Sequence, residues 1–204
     1  MTLDDLRGVS RSVTEPMAEI VERLGLTPNM LSVLSLCFSF LAFVFYYISA
    51  SDQRMLLGAA IMVMLNGLAD AVDGALARRM GHADQRGDFL DHVIDRYSDV
   101  LLLSGIIFAG YIGWEIGYLA VVGVLVTSYI GTQAQAVNLR RCYGGMLGRA
   151  DRLVFLIIAT LANALYPHRI EGLQILGWMV LITMILSHIT AVQRFVYIWT
   201  RLGR

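Results

Sequence analysis

The sequence predicts an all-α integral membrane protein with six transmembrane helices and an N-terminal amphipathic interfacial helix. Three observations carry this reading. Of the 204 residues, 57% are hydrophobic and the mean hydropathy is +0.63, more than a soluble core of this length requires. Six apolar segments approach the ~20 residues that cross a bilayer. Pro16, Pro28 and Pro167, the only prolines, fall outside those segments, so no span is expected to be broken.

In residues 1–28, Val13, Met17, Ile20, Val21 and Leu24 recur at helical spacing, with Glu15, Glu19, Glu22 and Arg23 between them. That pattern is an amphipathic helix, with Pro16 expected in its first turn and Gly25 as its stop. It is expected to lie along the membrane surface. Residues 29–204 then form one membrane domain with spans at 30–50, 55–75, 89–112, 116–137, 153–166 and 173–199. The fifth is short. The second and third reach spanning length only if their aspartate-bearing ends count as membrane helix.

All sixteen basic residues are arginine and the net charge is zero. With six spans, the termini and the loops after spans two and four share one side, and they hold twelve of the arginines. The opposite loops hold only Arg54 and Arg169. The positive-inside rule therefore places both termini, and the acidic ends of spans two and three, in the cytoplasm. Cys37 lies in an apolar run and Cys142 in a polar loop, which supplies neither a disulfide framework nor metal-ligand spacing. No nucleic-acid partner is expected.

The chemistry is concentrated between positions 70 and 95. Asp70 and Asp73 are three residues apart, Asp91 and Asp95 four apart, so each pair projects from one helix face with Cβ atoms roughly 5 to 6 Å apart. Four adjacent carboxylates repel one another unless a positive charge sits among them. Oxygen-only ligation favours Mg²⁺ or Mn²⁺ over zinc. The bland alternative, solvated helix ends each paired with a nearby arginine, suits a single aspartate better than two matched pairs. Asp99, one turn further on, is expected to support the site by hydrogen bonding, and Asp84 and Asp88 to be solvated. At Gly74 and Gly87 the missing Cβ would let a nucleotide or its phosphates approach the backbone. Ala77 leaves space beside Arg78, whose planar fork suits a diphosphate.

These residues read Asp70-x2-Asp73-Gly74-x2-Ala77-Arg78-x8-Gly87-x3-Asp91-x3-Asp95, which resembles the complete signature of the CDP-alcohol phosphotransferase family. Eight fixed residues over twenty-six positions make the match specific, and Thr27-Pro28-Asn29 resembles the family's entry to its first span. The resemblance implies a membrane enzyme that moves a phospho-lipid group from a CDP-linked lipid to an alcohol and releases CMP. It further implies that Asp70, Asp73 and Asp91 hold metal bridging the diphosphate, and that Asp95, also near metal, is the general base. Two metal ions ~3.5 to 4 Å apart suit such a transfer. A homodimer is implied by the resemblance alone.

For the acceptor, the segment after span four carries Gly144-Gly145-x3-Arg149-x2-Arg152, and the last span carries Gln193-Arg194. Both resemble the phosphatidylinositol-phosphate synthase branch and its archaeal archaetidylinositol-phosphate counterpart, where such residues serve inositol phosphate. Arg149, Arg152 and Arg194 are thus expected to bind the acceptor phosphate. Where the bacterial branch has a lysine, this chain has Thr132 or a nearby glutamine such as Gln135. The expected acceptor is inositol 1-phosphate, with glycerol 3-phosphate as the alternative. A divalent-cation transporter would also gather carboxylates in a membrane, but would place them near the midplane and has no use for the Gly-Ala-Arg-Gly framework. His92 is expected to make a structural hydrogen bond. Trp114, Trp178, Trp199, Tyr46 and Tyr47 are read as interface anchors or packing.

Overall fold

The computed structural model describes residues 7–81 and 85–202, with side chains from Thr14 onward. Asp84 and the side chain of Val13 lie outside the described residues. Seven helices follow one another: α1 (Arg7–Arg23), α2 (Pro28–Ser49), α3 (Met55–Arg79), α4 (Gln85–Phe108), α5 (Trp114–Ala136), α6 (Arg149–Leu165) and α7 (Ile175–Leu202). The local signals for α2 are plain. The Thr27 side chain accepts a hydrogen bond from the Met30 amide at 3.3 Å and Pro28 opens the first turn, satisfying a free donor where proline costs nothing. At the start of α6 the Asp151 carboxylate accepts from the Gly148 amide at 2.9 Å.

Four of these helices, α2, α3, α5 and α7, are long and apolar enough to cross a membrane. The expected count of six is not met on length and composition, for two reasons. The first two-thirds of α4 carries Asp88, Asp91, Asp95, Arg96 and Asp99. The 17 residues of α6 include Arg149, Asp151 and Arg152, and at 1.5 Å per residue they extend only about 25 Å.

Packing brings the acidic helices together. α2 packs on both α3 and α4, α5 packs on α7, and α6 joins α3 to α7. The main apolar core includes the fully buried Leu56, Val63, Ile106, Val124, Leu176 and Val180. Gly105 allows a close approach of α4 to α2, because a Cβ there would sit 2.9 Å from the Phe43 Cα. Tyr46 belongs to this core rather than to an interface, with its hydroxyl 2.6 Å from that of Thr160. Tyr47 is exposed. Trp178 donates its indole N–H to the Ile170 carbonyl at 2.8 Å.

The N-terminal helix differs from its expected form. It has begun by Arg7, so Pro16 lies within it rather than in its first turn. Ala18 is buried with Leu31, Val72, Ala75 and Leu76 in a smaller core, against which Met17 and Val21 pack. Arg79 on α3 meets Glu22 at 2.5 Å. Ile20 and Leu24 remain exposed. Thus α1 is docked on the acidic end of α3 by one part of its apolar face and offers the rest outward.

Candidate active site

Asp70 and Asp73 stand in the last part of α3, while Asp91 and Asp95 stand near the start of α4. Packed through α2, the two acidic faces meet. Asp70, Asp73 and Asp91 each place a carboxylate oxygen within 4.8 Å of the others, and Asp91, His92 and Asp95 form a second such group sharing Asp91. Asp73 and Asp95 are buried, Asp70 and Asp91 half-buried. Buried carboxylates without compensation are costly. A set of hard oxygen donors at this spacing fits a divalent cation of the Mg²⁺, Mn²⁺ or Ca²⁺ kind.

Neighbouring side chains hold these carboxylates in place. Ser32 on α2 donates to Asp73 Oδ2 at 2.8 Å. Arg149, the first residue of α6, straddles two aspartates: Nη1 lies 2.6 Å from Asp70 Oδ2 and Nη2 lies 2.8 Å from Asp95 Oδ1. The second contact is short but poorly directed, an ion pair rather than an aligned hydrogen bond. Arg96 Nη2 donates to Asp95 Oδ2 at 3.3 Å. Arg152 donates to Asp99 Oδ2 at 2.9 Å, and Arg96 lies 3.6 Å from the same oxygen. Asp99 therefore does support the site, as its spacing suggests, by holding two arginines.

Two cavities open from this carboxylate wall. One, of about 640 Å³, is bounded by the α2 entry at Thr27, Pro28 and Asn29 and by Ala77, Arg78 and Gly87. A Cβ added to Gly74 would meet nothing but the Arg78 guanidinium, at 3.5 Å, so the space beside this glycine is open. The second, of about 400 Å³, is lined by Asp70, Asp95, Arg141, Arg149, Arg152 and Arg194 among others. Asp73, Gly74 and Asp91 line both. The carboxylates are the shared partition between two chambers.

Three expected acceptor residues sit otherwise than the sequence suggests. The Thr132 hydroxyl donates back to its own helix, at the Ser128 and Tyr129 carbonyls, and Gln135 is exposed. Neither lines the cavity; Thr127 and Ser128, one turn earlier on α5, do. Arg194 does reach the cavity wall, but its guanidinium donates to three backbone carbonyls, Gly144 (2.8 Å), Thr127 (2.8 Å) and Tyr143 (3.1 Å). Its task is to clamp the loop between α5 and α6 onto α5 and α7. Gly131 makes the room, since a Cβ there would lie 2.7 Å from Arg194 Nη1. Sequence reasoning missed Ser32 and Arg96; the only signal for Ser32 was its position one turn inside the α2 entry.

Known proteins resemble this chain along most of its length. The CDP-alcohol phosphatidyltransferase family model matches residues 25–199. The chain is 32% identical to the archaetidylinositol phosphate synthase of Pyrococcus horikoshii, over 94% of each chain. It is 28% identical to the enzyme of the same name from Methanothermobacter thermautotrophicus, over 98% of this chain and 95% of the other. Among solved structures it resembles the Mycobacterium tuberculosis phosphatidylinositol phosphate synthase with CDP-DAG bound, with a TM-score of 0.77, 27% identity, and 93% and 94% of the two chains covered. The same protein in complex with manganese and citrate gives a TM-score of 0.77 over 92% and 90%. With the signature aspartates gathered at one wall and the family match running over residues 25–199, this chain belongs to the CDP-alcohol phosphatidyltransferase family.

Proposed function

We propose that this protein transfers a phosphatidyl or archaetidyl group from a CDP-linked lipid to the hydroxyl of inositol 1-phosphate, releasing CMP, as a step of phospholipid biosynthesis. The observation that carries the reading is the pair of cavities meeting at Asp73, Gly74 and Asp91. One wall of carboxylates then faces donor and acceptor at once. The relatives that bear the names archaetidylinositol and phosphatidylinositol phosphate synthase support the acceptor.

In this reading the chamber beside Arg78, Ala77 and Gly87 takes the CDP moiety, with Arg78 forking onto the diphosphate and Gly74 admitting it close to the α3 backbone. Asp70, Asp73 and Asp91 would hold a divalent cation, Mg²⁺ or Mn²⁺, and Asp91 with Asp95 a second. Bound there, the cations neutralise the diphosphate and favour departure of CMP. Asp95 takes the proton of the acceptor hydroxyl as that oxygen bonds to the lipid-side phosphorus and the bond from that phosphorus to the CMP oxygen breaks. Arg149 and Arg152 face the acceptor's phosphate. Arg96 and Arg149, which both contact Asp95, orient its carboxylate for that proton transfer.

Six membrane crossings by α2 to α7 suit this chemistry, with both termini and the carboxylates at the cytoplasmic face, where soluble acceptor and membrane-bound donor can meet. In that setting the acidic end of α4 and the charged start of α6 reach into the interface. α1 lies there as well, with Ile20 and Leu24 toward lipid. The working unit is a homodimer.

The test is direct. Purified protein is incubated with a CDP-linked lipid, Mg²⁺ or Mn²⁺, and either inositol 1-phosphate or glycerol 3-phosphate, and CMP is followed. CMP release only with inositol 1-phosphate is the expected result. Preference for glycerol 3-phosphate would change the acceptor, and no CMP with any alcohol would favour a cation transporter.

A further inference from the structure

The cations around the second cavity are unequal in what already holds them. Arg149 is shared by Asp70 and Asp95. Arg96 and Arg152 meet Asp95 and Asp99. Arg194 is turned to backbone carbonyls. Arg141 also lines this cavity, and among the described residues no carboxylate pairs with it. Its contacts are the His92 ring, with Nη1 2.5 Å from Nε2, and the Tyr143 ring, whose centroid lies 5.0 Å from Cζ. Arginine only donates, so His92 Nε2 accepts one N–H from it, which orients the guanidinium without cancelling its charge. Tyr143 lies within cation–π range, an arrangement that occupies a guanidinium face and leaves the N–H edge for an oxyanion.

The position is also rigid. The Cys142 amide donates to the Gly131 carbonyl at 3.1 Å, and Arg194 holds the carbonyls of Tyr143 and Gly144. Arg141 is therefore presented by a loop fastened immediately after it, so little ordering remains to be done when an anion arrives.

We propose that Arg141 is a specificity residue that binds the phosphate monoester of the acceptor and so selects phosphorylated over uncharged alcohols. This rests on the acceptor reading above, but it needs only the phosphate, which inositol 1-phosphate and glycerol 3-phosphate share. Loss of one charge-assisted hydrogen bond corresponds to about a tenfold to hundredfold loss in affinity.

The experiment compares wild type, Arg141→Gln and Arg141→Lys, loaded with Mn²⁺ and supplied with CDP-linked lipid. CMP release is measured against inositol 1-phosphate and, separately, against glycerol 3-phosphate. Expected is a rise of about tenfold or more in the KM of whichever phosphorylated acceptor the wild type uses, with kcat and the KM of the CDP-lipid within about twofold, and an intermediate value for lysine. Calorimetric binding of the same acceptor to the Mn²⁺-loaded protein should weaken in parallel. If the wild type uses glycerol 3-phosphate, the inositol reading fails and the Arg141 assignment stands on that acceptor's KM. An unchanged acceptor KM and Kd, a fall in kcat alone, an equal rise in the CDP-lipid KM, or wild-type turnover only with uncharged alcohols would each overturn the assignment.

Discussion

Arg149 reaches from the first residue of α6 to Asp70 on α3, at 2.6 Å, and its other terminal nitrogen stands 2.8 Å from Asp95 on α4. One guanidinium thus spans an expected metal ligand and the expected general base. It ties α6 to the consecutive helices α3 and α4, which lie far from it in sequence.

Removing that cation leaves Asp70 and the buried Asp95 without their shared counter-charge. Arg149→Gln should destabilise the metal-free protein by about 3 kcal/mol, the lower range for breaking a buried ion pair. Divalent metal should restore more Tm to this variant than it adds to wild type, because the ions replace the missing charge. Thermal unfolding in detergent with and without Mn²⁺ checks this; equal metal-induced shifts would show that Arg149 does not balance these carboxylates.

Asp95→Asn keeps the size of the side chain but cannot take a proton. CMP release should fall by about 10² to 10⁴, the usual weight of a positioned base, while metal-dependent binding of CDP-lipid persists. Asp73→Ala, by contrast, should lose both binding and turnover. Full activity of Asp95→Asn would remove it as the base.

Ser32 donates to Asp73 at 2.8 Å, so in the proposed site it would act on metal through that carboxylate. Ser32→Ala should raise the Mn²⁺ concentration needed for half-maximal activity by about tenfold, the lower figure for such supporting contacts, with the rate at saturating metal nearly preserved. A lower saturated rate with unchanged metal dependence would contradict this role.

Arg194 is buried and holds three carbonyls. Arg194→Ala should cost about 2 to 4 kcal/mol and open the loop between α5 and α6 to proteolysis, and lysine, with one point of attachment, should rescue little. A variant with normal Tm and proteolytic resistance but a raised acceptor KM would instead make Arg194 a direct phosphate ligand.

Chelation of divalent cations should abolish CMP release from wild type, with recovery on adding back Mg²⁺ or Mn²⁺. An unaffected rate would exclude metal from the reaction.

Much of the site could be read along the chain because its geometry is local. Spacings of three and four put Asp70 beside Asp73 and Asp91 beside Asp95 on any α-helix, and an apolar chain with few prolines leaves little choice but helices. The open wall at Gly74 follows from one missing Cβ, and the support from Asp99 lies one turn from Asp95. These readings needed no knowledge of which helix packs on which.

What tertiary structure decided is everything that depends on helix rotation and on partners distant in sequence. Thr127 and Ser128 face the cavity while Thr132 and Gln135 do not, because packing of α5 on α7 sets which side of α5 turns inward. Arg149 and Arg152 in the basic segment and Arg194 in the last helix look alike as arginines, yet one bridges two aspartates, one holds Asp99, and one clamps a loop. Charge can be counted from a sequence, but the partner of each charge is set by distance, and distance across helices is fixed only when the bundle closes. The four aspartates were therefore written in the chain; their division of labour among the arginines was not.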